Sequence, residues 1–497
     1  MTTARSESDL KIELRTNGVA DIALRFEGEA LSYPELDRRA AIAAKALRGM
    51  GVSRGDAFAV IGENCPEILT AYYAAAKLGA VFISVNSGLK VDEIRYILGH
   101  AKCVLLLHDQ ATAELAIAAA APERRRRIED LATSVSAEIV EPTDPLGDFM
   151  IAYTSGTTGV PKAVVFDQST EVAASRALIK LWGVGKTDRI VVALPLGFLY
   201  GLSTACAMGL EAGAEIILLR RFHPKAVLHA LVANKATIFH GVPTMFAMLL
   251  DYCEQNSVSA NLSFMRSLIC AGAPLAPELK RRFTERFCKP IDDYYALTEI
   301  RPVFGRYAGD DALIPAGAIG KAAPGADFRI VDGSGQAVGD GVQGEVLVRA
   351  AGTMLRYHKD PELTAQSFRD GLFATGDVGF RDAEGFYHLT GRIKDIIIRG
   401  GANIAPAEVE NILLRHPSIQ AAAVVGRRDA KFGEVPVAFV SWTEGVVGDQ
   451  EGVIAHCRHH LADFKVPVRL FTLPEMPLGA TGKVDKAKLK SMLETLA

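Results

Sequence analysis

The most informative segment of the chain reads Phe149-Met-Ile-Ala-Tyr-Thr-Ser-Gly-Thr-Thr-Gly-Val-Pro-Lys162. Its apolar start, Phe149–Ala152, predicts a short buried strand. The hydroxyl residues, glycines and lysine that follow can offer backbone N–H groups, hydroxyl donors and a cation to polyphosphate oxygens. Neither glycine has the G-x-x-x-x-G-K-[ST] spacing to Lys162, so the segment is not a P-loop. It predicts a polyphosphate-binding loop of another type, and its composition alone leaves a plain turn as the alternative.

Length and composition around this segment are those of an ordinary folded enzyme. The chain has 497 residues with 55 Lys+Arg and 58 Asp+Glu, a formal net charge of −3, which argues against a nucleic-acid binder that depends on phosphate contacts. Hydrophobic residues make up 49%, too many for a disordered chain. The basic tract Arg124–Arg127 has acidic neighbours and predicts a solvated helix face.

The cysteines and the N-terminus predict a cytoplasmic protein. Seven cysteines are scattered from Cys65 to Cys457 without a C-x-x-C pair, which is typical of free thiols in a reducing compartment. Residues 1–14 carry charges where a signal peptide would be apolar. The uncharged stretch 190–210 is long enough for a membrane helix, but Pro195 and glycines interrupt it. We therefore expect a buried strand, a loop and a helix there, and no integral membrane segment.

The order of apolar runs predicts an α/β protein. In the first third, helical patterns such as residues 33–47 alternate with apolar runs such as residues 103–109, the rhythm of a doubly wound sheet. From about Gly320 to Gly391, short apolar runs are cut by glycines. This pattern predicts a small, largely antiparallel β region.

The pattern restarts after Arg392 with a strand, a helix and two further strands. It predicts a compact α+β domain of roughly a hundred residues at the end of the chain. We expect a large domain at residues 1–393, a small one at residues 394–497, and a hinge at Lys394.

The order of several sequence blocks resembles the adenylate-forming enzymes, which include acyl- and aryl-CoA ligases, firefly luciferase and peptide-synthetase adenylation domains. The blocks begin at Leu31–Leu36, include residues 153–162, and end at Gly479–Lys483. A chance match to one block is common, but an ordered series is not. The resemblance implies a large N-terminal domain of doubly wound sheets with a small β-rich subdomain, and a small mobile α+β C-terminal domain.

The resemblance also implies an ATP-dependent carboxylate:CoA ligase. The carboxylate of the acid would attack the α-phosphorus of MgATP, giving acyl-AMP and pyrophosphate, and the thiol of coenzyme A would then displace AMP. Small-molecule acid, ATP, Mg²⁺ and coenzyme A are the implied partners and cofactors, and the family allows a homodimer. An enzyme that loads a carrier protein and a non-catalytic nucleotide-binding regulator are the alternatives.

The family's motifs assign roles residue by residue. Lys483 would bridge the carboxylate and the α-phosphate, Thr298 would contact the same region, and Glu299 would hold Mg²⁺. Lys394 would be the hinge, with Gly400 and Gly401 against the pantetheine arm of coenzyme A. Adenine would stack on Tyr295, and the ribose would contact Asp377 and Arg392. The full set for ATP and AMP is Thr154, Ser155, Gly156, Thr157, Thr158, Gly159, Lys162, Gly272, Ala273, Pro274, Tyr295, Asp377 and Arg392.

The same resemblance maps an acyl pocket to Phe198, Tyr200, His240, Ala271, Ala296, Ile300 and Arg301. Ala296 replaces the family's usual glycine, and Phe198 stands where many relatives carry histidine. These changes imply a shortened pocket for a compact cyclic, aromatic or short-chain acid. Arg301 must turn to solvent, pair with a protein carboxylate or meet a polar group on the substrate, because an unpaired guanidinium is costly to bury.

Overall fold

Three sheets organise the chain in a computed structural model, which describes residues 11–14, 21–132, 146–154, 161–310, 313–315, 317–443, 445–446, 448–478 and 484–496. The strands are β1 Ile22–Phe26, β2 Glu29–Ser32, β3 Ala57–Ile61, β4 Val81–Val85, β5 Leu105–His108, β6 Arg125–Arg127, β7 Asp148–Thr154, β8 Lys162–Asp167, β9 Arg189–Val192, β10 Glu215–Leu218, β11 Ile238–Gly241, β12 Ser267–Cys270, β13 Asp292–Leu297, β14 Ile300–Gly305, β15 Ala318–Ala322, β16 Asp327–Val331, β17 Gly344–Arg349, β18 Arg356–Tyr357, β19 Phe368–Arg369, β20 Leu372–Arg381, β21 Tyr387–Arg392, β22 Ile397–Arg399, β23 Ala402–Ile404, β24 Ile419–Asp429, β25 Gly433–Trp442 and β26 Leu470–Thr472.

Helices connect and cover these strands. They are α1 Tyr33–Gly49, α2 Pro66–Leu78, α3 Val91–His100, α4 Ala113–Ala119, α5 Gln168–Trp182, α6 Met208–Glu211, α7 Pro224–Ala233, α8 Pro243–Gln255, α9 Pro277–Phe287, α10 Pro361–Gln366, α11 Pro406–Leu413, α12 Gln450–His460 and α13 Lys486–Leu496. A π-helix, Tyr200–Ala207, leads directly into α6.

The largest sheet changes from parallel to antiparallel at β13. Its order is β16-β17-β20-β21-β15-β14-β13-β12-β11-β9-β10-β1-β2, with β19 beside β20. Strands β13, β12, β11, β9, β10 and β1 run parallel, whereas the strands from β14 to β16 pair antiparallel. The antiparallel region predicted for residues 320–391 is confirmed and forms the second half of this sheet.

A second sheet, in the order β18-β8-β7-β4-β3-β5-β6, lies on the other side of helices α1, α2 and α5. Phe58 and Phe82 of this sheet share one buried cluster with Ile190 and Ile216 of the first. Helices between two parallel sheet regions bury apolar side chains on both of their sides. The predicted doubly wound architecture is confirmed.

Helix α5 contributes two buried residues to the central core, Glu171 near its start and Trp182 at its end. Asp167 caps its start by accepting a hydrogen bond from the Thr170 N–H at 2.7 Å. Its end is set by Gly183, whose φ of +59° suits glycine. Between them, Glu171 and Trp182 lie at spacings that face the core and are both buried.

The C-terminal part forms its own sheet, β23-β22-β25-β24, with β26 parallel to β25. The strand, helix and two-strand pattern expected after Arg392 is present as β22, α11, β24 and β25, with β23 added. Lys394 lies in the short 3₁₀ turn Ile393–Asp395 between β21 and β22. The domain boundary at residues 393 and 394 stays a prediction.

Two local predictions have opposite outcomes. Residues 190–210 form strand β9, a loop and the start of a buried helical segment, as expected. The solvated helix face predicted at Arg124–Arg127 is wrong, because Arg125–Arg127 forms an edge strand beside β5. Exposed arginines suit a sheet edge as well as a helix face. No helix of the described residues is long and apolar enough to cross a bilayer.

Candidate active site

The predicted site residues gather where parallel strands of the large sheet end. His240 lies near the carboxyl end of β11, Gly272 follows β12, and Thr298 and Glu299 form the turn between β13 and β14. Ligands of open α/β sheets bind beyond the carboxyl ends of strands. The sheet therefore brings together segments that lie far apart in the sequence.

One end of the site is a buried carboxylate with two protein donors. Arg392 Nε donates to Asp377 Oδ1 at 2.6 Å, and the Tyr295 hydroxyl donates to Asp377 Oδ2. Burial, with Asp377 nearby, raises the pKa of Tyr295 well above its usual range. The hairpin β20–β21 pairs Asp377 with Arg392 across the strands. Three predicted nucleotide residues thus form one hydrogen-bonded group.

A second group joins the two sheets at Glu299. The Tyr357 hydroxyl donates to Glu299 Oε1 at 2.9 Å, and Lys162 Nζ lies 5.3 Å from the centre of the Tyr357 ring. Tyr357 belongs to β18, which pairs with β8, and β8 begins at Lys162. This tyrosine therefore holds the predicted magnesium ligand beside the predicted phosphate lysine.

The chemistry of Glu299 suits Mg²⁺. No cluster of three or more His, Cys, Asp or Glu side chains in the described ranges could hold a metal by itself. Mg²⁺ commonly takes one or two carboxylates and completes its coordination with substrate phosphates and water. A single carboxylate near Lys162 fits a metal that arrives with ATP.

The polyphosphate segment is described only at its ends. Thr154 ends β7 and pairs with Lys162 at the start of the antiparallel β8. The strand predicted at Phe149–Ala152 is confirmed as β7. Ser155, Gly156, Thr157, Thr158 and Gly159 lie outside the described residues, as does Lys483.

The segment after β12 turns sharply at Gly272. Its φ is +90°, a backbone conformation that favours glycine, and an added Cβ would lie 3.3 Å from Val242 Cγ1, a tight contact. Ala271 before it is buried, Ala273 after it is half-buried and Pro274 is exposed. The backbone of this turn is thus available to a ligand.

Aromatic rings line the region assigned to the acyl group. Tyr200, from the π-helix, lies 5.7 Å from His240 and 6.4 Å from Tyr294 between ring centres. Trp182 contacts the same two residues, at 5.1 and 4.9 Å. Phe198 and Tyr200 are half-buried, whereas His240 is fully buried. The buried rings of Trp182, His240 and Tyr294 form an aromatic floor. The half-buried rings of Phe198 and Tyr200 form its rim.

His240 and Tyr294 have no hydrogen-bond partner in this floor. Both ring nitrogens of His240 and the hydroxyl oxygen of Tyr294 are buried and unpaired. Burial lowers the pKa of His240 to about 3, so the ring is neutral. Tyr200 differs, because its hydroxyl donates to the Ile269 carbonyl at 3.1 Å.

Arg301 takes the second of its three predicted alternatives, a protein carboxylate. Its guanidinium, 1% exposed, pairs through Nη2 with Glu171 and donates to Ser203 Oγ at 3.1 Å. Its plane lies over the Phe166 ring at 4.6 Å. Ser203 also donates to Glu171 at 2.6 Å. The Arg301 charge is therefore balanced inside the protein.

The two remaining strand residues assigned to the acyl pocket are Ala296 and Ile300. Ala296 is half-buried on β13, and Ile300 is fully buried at the start of β14. Both pack with the central apolar cluster. The shortened pocket expected from Ala296 and Phe198 stays a prediction.

The predicted hinge residue lies next to the nucleotide groups. Partial burial, with Arg392 nearby, lowers the pKa of Lys394. Gly400 and Gly401 both have positive φ, +57° and +86°, in the turn between β22 and β23. Gly400 N–H donates to the Phe432 carbonyl at 2.8 Å.

Motif reasoning missed three contributors to the site. Tyr357 carries no motif signal, since its role depends on pairing between β18 and β8. Trp182 and Glu171 both lie on α5, and an acidic residue at core-facing spacing with Leu178 and Trp182 is a signal that could have revealed a buried charge.

Comparisons with known proteins agree with this geometry. The chain matches the AMP-binding enzyme family over residues 13–358 and the AMP-binding enzyme C-terminal domain over residues 408–483. Feruloyl-CoA synthase from Amycolatopsis sp is 35% identical over 474 residues, covering 94% of this chain and 95% of that protein. Indoleacetate–CoA ligase from Aromatoleum aromaticum is 35% identical over 489 residues, covering 95% of each.

Solved structures lead to the same family. ATP-bound MatB from Rhodopseudomonas palustris has a TM-score of 0.89 to this chain at 28% identity, and the match covers 97% of both chains. The resemblance to adenylate-forming enzymes is confirmed, and relatives named as CoA ligases favour coenzyme A over a carrier protein as the acyl acceptor. The chain belongs to the AMP-binding enzyme family and is an AMP-forming acid–CoA ligase with ATP, Mg²⁺ and coenzyme A as cofactor and co-substrates.

Proposed function

We propose that this ligase activates a compact aromatic carboxylic acid whose ring lies among Trp182, Tyr200 and Tyr294. The observation that carries the proposal is the arrangement on β13. Adjacent strand residues point to opposite sides, so Tyr294 joins the aromatic floor while Tyr295 joins Asp377 and Arg392. One strand thereby aligns the acid with the nucleotide.

Two further observations support an aromatic acid. Aromatic rings pack well edge-to-face at the centroid distances found in this floor. Feruloyl-CoA synthase and indoleacetate–CoA ligase, at 35% identity, are both named for acids that contain a ring. A long aliphatic chain would have to pass the half-buried Phe198 and the Ala296 methyl group.

In the first half-reaction, the acid carboxylate attacks the α-phosphorus and pyrophosphate leaves. Lys483 lowers the repulsion between the two anions as they meet, and Thr298 contacts both of them. Glu299, to which Tyr357 donates, would hold Mg²⁺, and the ion would supply positive charge to the phosphates. Lys162, Thr154 and the 155–159 backbone contact the phosphates, and Gly272, Ala273 and Pro274 border the adenine.

In the second half-reaction, the sulfur of coenzyme A attacks the acyl carbon and AMP leaves. The domain of residues 394–497 rotates about Lys394 between the two steps. Gly400 and Gly401 then approach the pantetheine arm, because residues without a Cβ allow close contact with a ligand. Conformational steps of this kind commonly control the rate of such enzymes.

The proposal also covers compartment and assembly. The seven cysteines are free in the described part of the chain, and six of them are buried, in agreement with a reducing cytoplasm. A homodimer is the assembly to test, by sedimentation of the purified enzyme.

Pyrophosphate release tests the proposed function. Purified enzyme with ATP, Mg²⁺ and benzoate, cinnamate or indole-3-acetate should release pyrophosphate and form acyl-AMP, and coenzyme A should convert the acyl-AMP to thioester. Lys483→Ala should lower acyl-AMP formation by more than about 100-fold but spare thioester formation from synthetic acyl-AMP. Lys488→Ala, an exposed lysine on α13, is the control. Activity with fatty acids and none with aromatic acids would overturn the proposed substrate class.

A further inference from the structure

The two unpaired polar groups of the aromatic floor face the same space. His240 pairs with Ile269 across β11 and β12, and Ile269 pairs with Asp292 across β12 and β13. Paired residues of parallel strands point to one side of the sheet, and so does Tyr294, two residues beyond Asp292. Trp182 touches both His240 and Tyr294 on that side, at 5.1 and 4.9 Å.

Unpaired polar atoms at full burial are rare in native proteins. The large majority of buried side-chain polar atoms have a partner, and each exception requires an explanation. In the described part of the chain, three such exceptions lie together on β11 and β13, namely Nδ1 and Nε2 of His240 and the hydroxyl oxygen of Tyr294. The others are Nε2 of His358 and the Nε and Nη1 of Arg301, whose charge is compensated through Nη2 by Glu171. The neighbouring Tyr200 has its partner in the protein. A ligand group that enters the floor is therefore the missing partner.

Charge narrows the chemistry of that ligand group. His240 is neutral, because burial lowers its pKa to about 3. The nearest buried cation, Arg301, is paired with Glu171, to which Ser203 and Tyr72 also donate. A second carboxylate on the substrate would be buried here without a balancing charge, which is strongly unfavourable. The group must be polar and uncharged.

The donor and acceptor inventory selects a hydroxyl. A neutral imidazole has one donor and one acceptor nitrogen, and a tyrosine hydroxyl can do both. A ring hydroxyl can donate to the acceptor nitrogen of His240 and accept from Tyr294. A methoxy oxygen could only accept, and a ring N–H could only donate.

We propose that His240 and Tyr294 form a specificity subsite for a hydroxyl group on the aromatic ring of the acid, at the end opposite its carboxylate. This subsite rests on the proposed function and extends it from aromatic acids in general to hydroxyaryl acids. An acid without the hydroxyl is also penalised, since it leaves the acceptor nitrogen of His240 and the hydroxyl of Tyr294 buried without a partner.

Paired acids measure this selection. Acyl-AMP formation is followed with 4-hydroxycinnamate against cinnamate, and with 3- and 4-hydroxybenzoate against benzoate. For the best-fitting pair, the wild-type kcat/KM should favour the hydroxy acid at least about tenfold. 4-Methoxycinnamate and indole-3-acetate, which offer only an acceptor or only a donor, should rank between the members of that pair.

Two variants and one control distinguish a loss of preference for the hydroxy acid from a general structural defect. Tyr294→Phe removes only the hydroxyl, and His240→Leu removes both nitrogens, so each should bring the ratio within about threefold of one and improve the unsubstituted acid. Phe239→Leu is the control, because Phe239 neighbours His240 on β11 but packs on the opposite side against Phe246. It should leave the ratio unchanged.

The outcomes distinguish this subsite from the proposed function. If aromatic acids are activated but neither variant changes the ratio, or if the wild type shows no preference, the subsite is overturned and the proposed function stands. If no aromatic acid forms acyl-AMP, the proposed function fails first. Because the readout is a ratio, a general loss of activity in a variant does not imitate the expected result.

Discussion

The nucleotide side and the acyl side of this site use polar groups in opposite ways. On the nucleotide side, Asp377 accepts from Arg392 and Tyr295, and Glu299 accepts from Tyr357. On the acyl side, His240 and Tyr294 have no partner among the residues that the structure describes. Hydrogen bonds within the protein fix the side chains that contact the nucleotide, which is the same in every reaction cycle. Unpaired groups on the acyl side can instead form their hydrogen bonds with the acid.

Arg301 shows why burial by itself does not define a ligand site. It is as buried as His240, but Glu171, Ser203 and the Phe166 ring surround its charge. Because Arg301 is paired with Glu171 inside the protein, it is part of the core rather than a contact for the substrate. Arg301 and His240 therefore differ in compensation: the charge of Arg301 is balanced by Glu171, whereas the His240 ring has no partner among the described residues.

The largest effect is expected when the ion pair between Arg301 and Glu171 is broken. Arg301→Met should destabilise the protein by about 3–5 kcal/mol, because Glu171 would remain buried and uncompensated. Urea unfolding measures the change. The double variant Arg301→Met/Glu171→Met should recover much of the loss, and additive losses would contradict internal neutralisation.

Asp377→Asn should act on the nucleotide side alone. Loss of a charged hydrogen-bond acceptor is worth about 1.5–3 kcal/mol, so kcat/KM for ATP should fall about 100-fold while KM for the acid changes little. Asp382→Asn is the control, because Asp382 directly follows β20 and its carboxylate pairs with His388. Equal changes in both KM values would assign Asp377 a general structural role.

The neutral state of His240 should appear in the pH dependence of stability. Its pKa is about 3 in the fold against an ordinary 6.5, so between these values the unfolded chain binds one more proton and this group makes stability rise with pH. His240→Leu should lower the slope of the unfolding free energy near pH 5 by about 1.4 kcal/mol per pH unit. An unchanged slope, equal to that of Phe239→Leu, would mean that His240 is protonated in the fold.

Tyr357→Phe should give the smallest effect and tests how the nucleotide side is held. Glu299 would keep its charge but lose one donor, worth about 1 kcal/mol, so the Mg²⁺ concentration for half-maximal adenylation should rise about fivefold. The KM for the acid should stay constant, which a general structural defect would not allow. Tyr307→Phe, whose hydroxyl donates to the Ala322 carbonyl, is the control.

Motif order predicted which segments form the nucleotide side. Thr154, Lys162, Thr298, Glu299, Asp377 and Arg392 lie in short segments whose residue types suit phosphate and ribose chemistry. Asp377 and Arg392 pair on β20 and β21 of the large sheet, and Tyr357 links Glu299 to Lys162 of the second sheet. Their individual roles stay predictions, as do those of Lys483 and the 155–159 segment.

The acyl side was predictable only as a list of positions. Tyr294 was not among the predicted site residues, and its buried, unpaired hydroxyl becomes visible only beside His240 and Trp182. Glu171 could not be paired with Arg301, since 130 residues separate them. Pairing of this kind depends on which helix lies over which strand.

The sequence by itself determined the α/β class, the antiparallel region, the family and the reaction, because strand and helix periodicity and ligand-binding motifs are local properties of the chain. Only the tertiary structure decided how the polar residues are partnered: Glu171 balances the charge of Arg301, Tyr357 donates to Glu299, and His240 and Tyr294 have no partner among the described residues. Hydrogen-bond satisfaction at burial is a long-range property, since it depends on neighbours brought from distant segments into a space without water.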